Sequence, residues 1–400
     1  MMAAMKYSGA KWIGDIPKEW CITRLKDQLK INNGKEIDND EGKIPVYGSG
    51  GAFKWTDKVL CNEPALLLGR KGTVDRPLLV KEPFWTVDTM FYSTLKNEAC
   101  LDYLYFCSTC FDYKYFQTGS TLPSMTQTDL GSILLPWPCV NEQYVIASYL
   151  NRKCMIADKA IMTLESQIST LERHRSSVIH EAVTCGINPQ APTKQCSLDW
   201  FSAIPKEWDV SPFKYIANVD ANLVNPEEYP DLLEIDPENI ESNSGRLLNV
   251  RTVAEVGAIS AKQLFSKGQI IYSKIRPALN KVAIAPDRGL CSADMYPIKT
   301  SANVRWLSYA MRDTTFVSQT TLESGRVAMP KINVQALGKI WIAVPPIEEQ
   351  AAIADYLDAR TAAIDAVLDT KRKQLDILKR RRQSLIYEYV TGKRRVIEEA

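Results

Sequence analysis

The sequence predicts an α+β protein: two mixed α/β globules separated by two long antiparallel coiled-coil helices, written as an internal pseudo-repeat. Three observations predict it. Trp12-Ile13-Gly14-Asp15-Ile16-Pro17-Lys18-Glu19-Trp20 returns 188 positions later as Trp200-Phe201-Ser202-Ala203-Ile204-Pro205-Lys206-Glu207-Trp208. Asn141-Glu142-Gln143 and Ile146-Ala147-Ser148-Tyr149-Leu150 return 207 positions later as Glu348-Glu349-Gln350 and Ile353-Ala354-Asp355-Tyr356-Leu357. That second offset then runs without a gap to Glu181-x-Val183-Thr184 and Glu388-x-Val390-Thr391, through segments free of glycine and proline. Two long units, alike at their ends and different between, suggest one scaffold carrying two exchangeable inserts.

Residues 1–140 form the first globule. Short apolar runs alternate there with turn signals: Asn32-Asn33-Gly34, Gly48-Ser49-Gly50-Gly51 and Gly69-Arg70-Lys71-Gly72. Ala65 to Leu68 and Trp85 to Tyr92 read as strands, and the aromatic-rich Asp102 to Phe116 reads as helix. The tryptophans of the repeated opening element read as packing anchors.

Residues 141–186 form the first long helix, with Asn141 as its N-cap and Gly186 as its stop. Ala157, Ile161, Leu164, Ile168, Leu171, Val178 and Ala182 recur in steps of four and three, interrupted by Arg175. This 3.5-residue period is the seam of a coiled coil. Residues 187–199, with Pro189 and Pro192, are a linker. Residues 200–345 form the second globule, 19 residues longer than the first by the change in offset.

Residues 346–392 form the second long helix, after Pro345-Pro346 and before Gly392. Ile364, Leu368, Lys371, Leu375, Leu378, Arg382, Leu385 and Tyr389 stand there in the register of the first helix. Two matching runs in one chain predict that the helices pair with each other. In antiparallel packing Leu164, Ile168 and Leu171 face Leu375, Leu378 and Leu385. Lys371 and Arg382 depart from an apolar seam and are expected to snorkel outward or weaken its middle. A helix of about 44 residues is a rod of roughly 66 Å. Residues 393–400 are a basic and acidic tail.

A chain of 400 residues with 45% hydrophobic content can bury more than one core. Its net charge of +2 does not advertise a polyanion partner, yet ten basic and two acidic residues crowd Lys371 to Arg395. Local patches of this kind attract phosphate whatever the average charge. The ten cysteines show no metal or disulfide spacing and read as buried free thiols. With no apolar signal core and no membrane-spanning run, a soluble cytoplasmic protein is expected.

Catalytic signatures are missing from the sequence. His174 and His180 sit on the flank of the first helix and read as solvated surface. There is no phosphate-cradling glycine loop, no paired zinc motif and no glycine-rich cofactor turn. Val344-Pro345-Pro346-Ile347 lacks the polar first residue and the final aromatic that an amino-methyltransferase would need. No metal ligands and no catalytic residues are assigned.

Hydrogen-bond donors on turns stand in their place. Arg70, Lys71 and Thr73 follow the first globule's apolar strand, and Lys274, Arg276 and Asn280 follow Gln269 to Tyr272 in the corresponding place of the second. An arginine fork suits guanine O6/N7 or a phosphate, and lysine supplies a point charge. A second pair of loops carries Ser120, Thr121 and Ser124 in one globule, Arg326 and Lys331 in the other. Small polar and basic groups there can read base edges or hold phosphates. Ser49, on a glycine loop with no counterpart in the second globule, completes the DNA-binding candidates. The coiled-coil seam residues are Ile161, Leu164, Ile168, Leu171, Val178, Ile364, Leu368, Leu375, Leu378 and Leu385.

Over nearly its full length the chain resembles the specificity subunit of type I restriction-modification systems. The resemblance rests on the two Trp-x3-Ile-Pro-x-x-Trp openings and on the Glu-Gln…Ile-Ala-x-Tyr-Leu starts of the long helices. Tyr272-Ser273-Lys274-Ile275-Arg276-Pro277, Cys291-Ser292-Ala293-Asp294-Met295-Tyr296 and Met329-Pro330-Lys331-Ile332-Asn333 add to it. It implies two target-recognition domains, each reading half of a split sequence in double-stranded DNA, held apart by the helices. It also implies two methyltransferase subunits docked on the chain, with a motor-nuclease subunit joining them; whether such a nuclease accompanies this chain is left open. S-adenosylmethionine, ATP and Mg²⁺ then belong to the partners, and this chain holds no cofactor. Two alternatives remain at this point: a coiled-coil assembly scaffold that does not touch DNA, and an adenine methyltransferase in its own right.

Overall fold

The computed structural model of the chain describes residues 4–38, 41–116, 123–325 and 329–396. The chain divides into two compact units, Met1–Glu165 with Lys373–Ala400, and Ser166–Arg372. Unit one is discontinuous in sequence, and unit two is a single stretch inserted within it. Each follows one plan and holds one globule, the N-terminal half of the long helix that follows that globule, and the C-terminal half of the other long helix.

In unit one an antiparallel sheet takes its strands in the order Leu29–Asn33, Met90–Leu95, Ala65–Gly69, Leu78–Val80. The central Ala65–Gly69 is buried on both faces, which is why it reads as an unbroken apolar run. Leu66 and Leu68 join the main core with Leu104 and Phe106, while Ala65 and Leu67 meet Phe84 and Met90 on the other face. A smaller sheet pairs Ile44–Gly48 with Gly51–Thr56 on one side and Trp85–Thr86 on the other. The strand expected over Trp85 to Tyr92 is therefore two strands in two sheets, broken by a turn in which the Met90 amide donates to the Val87 carbonyl. The helix expected over Asp102 to Phe116 also divides, into Leu101–Ser108 and Tyr113–Phe116. The Ser108 and Thr109 hydroxyls bond back to the carbonyls of Tyr105 and Phe106, and such back-bonding competes with continued helix.

Unit two repeats the first sheet, in the order Ala217–Val219, Met295–Thr300, Ile270–Ser273, Val282–Ile284. Its second sheet differs. Five short strands stand where unit one has three, in the order Leu223–Val224, Lys262–Phe265, Gly289–Ser292, Leu233–Ile235, Arg251–Thr252. Most of the second globule's extra length lies here.

The long helices are Val140–Thr184 and Ile347–Val390, 45 and 44 residues. Asn141 lies inside the first and does not cap it. The Gln143 amide already donates to the Cys139 carbonyl, so the turn begins at Pro138-Cys139, as the second begins at Pro345-Pro346. Both helices end on a left-handed glycine, Gly186 at φ 82° and Gly392 at φ 68°. The backbone of Gly392 passes so near Pro17 that an added Cβ would come within 2.4 Å of its ring.

The repeated motifs meet at these helix ends. Trp20 and Trp208 are 1% and 0% exposed. Their Nε1 atoms donate to Glu142 and Glu349 at 3.0 and 2.8 Å. Gln143 and Gln350, both buried, each donate to the carbonyl of a nearby proline and accept an amide from their own globule, Cys100 and Asn303. The repeated Glu-Gln pair thus clamps each globule to its helix. Trp12 is only half-buried, and Trp200 is exposed, so the second tryptophan of each element is the anchor.

Along the seam Ile161, Ile168 and Leu368 are buried, and Leu164, Leu171, Val178, Ile364, Leu375, Leu378 and Leu385 half-buried. The charged residues on it do not snorkel away; each bonds to the facing helix. In unit one Arg382 forks Asp158 at 2.6 and 3.0 Å; in unit two Arg175 forks Asp365 at 2.8 and 3.3 Å. These are the same two repeat positions with their helices exchanged, the signature of an antiparallel pair. Lys371 donates to Gln167 at 2.8 Å. The expected grouping of Leu385 with Leu171 is corrected by this register. Leu385 packs in the core of unit one, level with Cys154 and Asp158, whereas Leu171 belongs to unit two.

Two further expectations change. His180 is not merely solvated: its Nδ1 lies 2.9 Å from Asp313 Oδ1, and that hydrogen bond raises the imidazole pKa against partial burial. His174 is exposed. All ten cysteines are free, but Cys21, Cys139 and Cys185 are exposed. No helix among the described residues is long and apolar enough to cross a membrane.

Candidate nucleic-acid interface

The donor-bearing turns leave the same strand of the shared sheet, and the backbone builds them alike. In unit one Arg70 N donates to Thr89 O, Gly72 N to Pro123 O, and Met125 N to Arg70 O. In unit two Lys274 N donates to Asp294 O, Arg276 N to Pro330 O, and Ile332 N to Lys274 O. The bridges Lys71 to Ser124 and Ile275 to Lys331 complete the match. Each turn is therefore stitched to the segment before the last strand of its globule, which brings Ser124 beside the first turn and Lys331 beside the second. The match also fixes correspondence: Arg70 answers to Lys274, and Gly72 to Arg276.

In unit one the Arg70 guanidinium lies over the Phe91 ring, 5.7 Å from its centroid, and donates to the Asp88 carbonyl at 3.3 Å. Lys71 pairs with Asp88 at 3.5 Å. The hairpin between Ile44–Gly48 and Gly51–Thr56 reaches the same place, since Ser49 N donates to Thr89 Oγ1 and Ser49 Oγ faces Gly72. Thr73 and Ser124 are half-exposed beside it. Ser120 and Thr121 lie outside the described residues.

In unit two Lys274 spans Tyr296 at 5.3 Å, as Arg70 spans Phe91, and donates to the Ala293 carbonyl at 2.8 Å. Lys331 and Lys274 share the Asp294 carboxylate at 3.2 and 3.6 Å, so both are partly neutralised. Arg276 is exposed. Asn280 is not on the surface: it is 5% exposed and its amide donates to Asn243 Oδ1 and the Arg312 carbonyl. Arg312 is itself buried, its pKa pulled down to about 10 by desolvation. Arg326 lies outside the described residues.

Sequence reading missed Phe53 and Trp55, 61% and 53% exposed on the hairpin that carries Ser49. A register shift between Val46 and Tyr47 puts Phe53 in a bulge, a device that re-aims side chains beside functional surfaces. The aromatic-Lys-aromatic spelling of Phe53-Lys54-Trp55 was the available signal. Among the described residues no cluster of His, Cys, Asp or Glu could hold a metal ion.

The family model for the type I restriction modification DNA specificity domain matches twice, over residues 17–167 and 205–376. The chain belongs to this family. It is 30% identical to the type I restriction enzyme EcoDI specificity subunit of Escherichia coli, over 91% of this chain and 85% of that one. It is 23% identical to the MjaVIII specificity subunit of Methanocaldococcus jannaschii, over 95% of this chain and 94% of the relative. Among solved structures, a chain from work on complex assembly and conformational transition of the type I R-M system matches with a TM-score of 0.58 at 13% identity. That match covers 95% of this chain and 99% of the other. At this identity the likeness establishes the fold, and the two family matches coincide with the two repeats read from the sequence.

Proposed function

We propose that each unit reads one half of a bipartite target in double-stranded DNA, on behalf of the type I restriction-modification complex whose specificity subunit this chain is. The observation that carries the reading is the stitched turn. It is rebuilt bond for bond in both units, yet holds Arg70-Lys71-Gly72 in one and Lys274-Ile275-Arg276 in the other. A conserved mount with exchanged donors is what two readers of different sequences require.

On this reading the chain does no chemistry. S-adenosylmethionine serves a pair of methyltransferase subunits, and ATP and Mg²⁺ serve motor-nuclease subunits where the complex restricts as well as modifies. The long helices space the readers and offer the partners a surface; Met155, Ile156 and Met162, between 62% and 69% exposed on the first helix, suit such docking. An assembly role without DNA contact has no observation in its favour, since it leaves the paired donor turns without a use.

The test exchanges residues 21–135 for those of a relative with a different target and sequences the methylated bases genome-wide. One half of the methylated motif should change and the other persist. If both halves changed, or methylation vanished from a folded protein, the modular reading would be wrong.

A further inference from the structure

We infer that Arg276 reads a guanine in the major groove within the second half-site, and that the fold holds its backbone in a strained conformation to present it. The inference rests on the reading of unit two as a half-site reader. Among the described residues four non-glycine residues have positive φ: Asn243, Asn249, Arg276 and Asn280. Asparagine tolerates the left-handed region; arginine, with a Cβ and no short polar group to bond locally, does so poorly. Pro277 adds to the cost, because a residue before proline is steered toward extended conformations. Arg276 nevertheless sits at φ 48°, ψ 64°.

The surroundings hold it there. Its amide donates to the Pro330 carbonyl at 2.8 Å, and its carbonyl accepts the Leu279 amide at 2.8 Å, closing a short 3-10 turn over Pro277–Leu279. That turn ends on Asn280, also left-handed and tied by its amide to Asn243 and to the Arg312 carbonyl. In unit one the equivalent residue is Gly72, at φ 82°, which adopts such a conformation freely. A family scaffold that accommodates glycine here carries in unit two a residue the backbone resists. Strain of this kind persists where function selects for it.

The side chain supplies the second observation. Lys274 and Lys331 share Asp294, whereas the Arg276 guanidinium is exposed with no carboxylate or carbonyl partner among the described residues. Its planar fork is left to a ligand. Guanine O6 and N7 form the base edge that an arginine fork matches in two parallel bonds, a planar geometry that lysine's point charge does not hold.

The full chain, assembled with its methyltransferase subunits, is compared with R276G and R276K. R276G should unfold at the same temperature or a higher one, because glycine relieves the strain. Its affinity for the target duplex should fall about ten- to a hundredfold. The methylated motif should lose one G·C requirement in the second half-site and keep the first half intact. R276K, which keeps the charge but not the fork, should relax the same position without changing the salt dependence. A uniform loss of affinity over all sequences with a shallower salt slope in R276G would mean a phosphate contact and overturn the inference. So would an unchanged motif or a lowered unfolding temperature in R276G. Exchange of residues 209–342 separates the two readings. If the second half-site ignores that exchange, half-site reading itself fails; if it follows the exchange while R276G leaves every position intact, only the assignment of Arg276 fails.

Discussion

In unit one the turn after the central strand reads Arg70-Lys71-Gly72-Thr73; in unit two it reads Lys274-Ile275-Arg276-Pro277. Equivalent backbone bonds hold both. The cationic side chain over the aromatic ring is retained, Arg70 on Phe91 and Lys274 on Tyr296, while the position two residues on changes from glycine to arginine. The hairpin with Phe53 and Trp55 beside the first turn belongs to a three-stranded sheet that unit two replaces with five strands. The lesson is that the mount and the side chains it carries vary independently. The mount is fixed by main-chain hydrogen bonds, which are indifferent to most side chains, so the side chains are free to diverge.

If the two globules are anchored to their helices equivalently, damaging the anchors should cost the same in both units. Trp20→Ala and Trp208→Ala each remove a fully buried indole bonded to a helix-start glutamate, and each should destabilise its unit by about 3–5 kcal/mol in denaturant unfolding. A large cost in one unit and a small one in the other would break the equivalence.

The exchanged ion pairs should differ. Arg175 has 8% side-chain exposure against 21% for Arg382, and Arg175 also donates to the Asn243 carbonyl. Asp365→Ala therefore leaves the more deeply buried charge unpaired and should cost about 2–3 kcal/mol, Asp158→Ala about 1. Equal losses would show that local burial does not set the worth of these pairs.

Arg70→Ala sharpens the comparison at the turn. A base fork there should cost about 1–3 kcal/mol on the target sequence alone. A phosphate contact should instead weaken binding to all sequences and lower the salt slope by about one. Fluorescence titration of target and random duplexes at several salt concentrations distinguishes the two, and unchanged affinity would mark the turn as ordinary surface.

The smallest effect is confined to unit two. His180 gains Asp313 on folding and its pKa is raised, so the stability it adds is fully present below the unfolded value near 6.5 and is lost as pH rises through the folded value. The imidazole is half-exposed, and screening keeps the contribution under about 1 kcal/mol. Tyr387 holds this repeat position in unit one. Hydrogen exchange of the helix amides around residue 180 should quicken between pH 6 and pH 8 beyond the intrinsic trend, and His180→Asn should remove the difference. Persistence of that difference in the variant would assign it to another group.

The sequence by itself determined the duplication, the two long helices with their glycine ends, and the seam. These follow from local periodicity and backbone sterics, which any stretch of chain declares on its own. It also found both donor turns, because glycine and basic residues after an apolar strand are a local signal. Only the tertiary structure decided what those groups contact. Asn280 reads as an exposed donor until its amide is seen buried between Asn243 and Arg312. Arg382 and Arg175 look like flaws in the seam until Asp158 and Asp365 arrive from the other helix, 224 and 190 residues away along the chain. Nothing near Arg276 in the sequence announces a left-handed backbone; it is imposed by Pro330 and Asn280 from opposite ends of the turn. A pairing between distant groups has no local signature, because its energy exists only once the fold has brought the partners together.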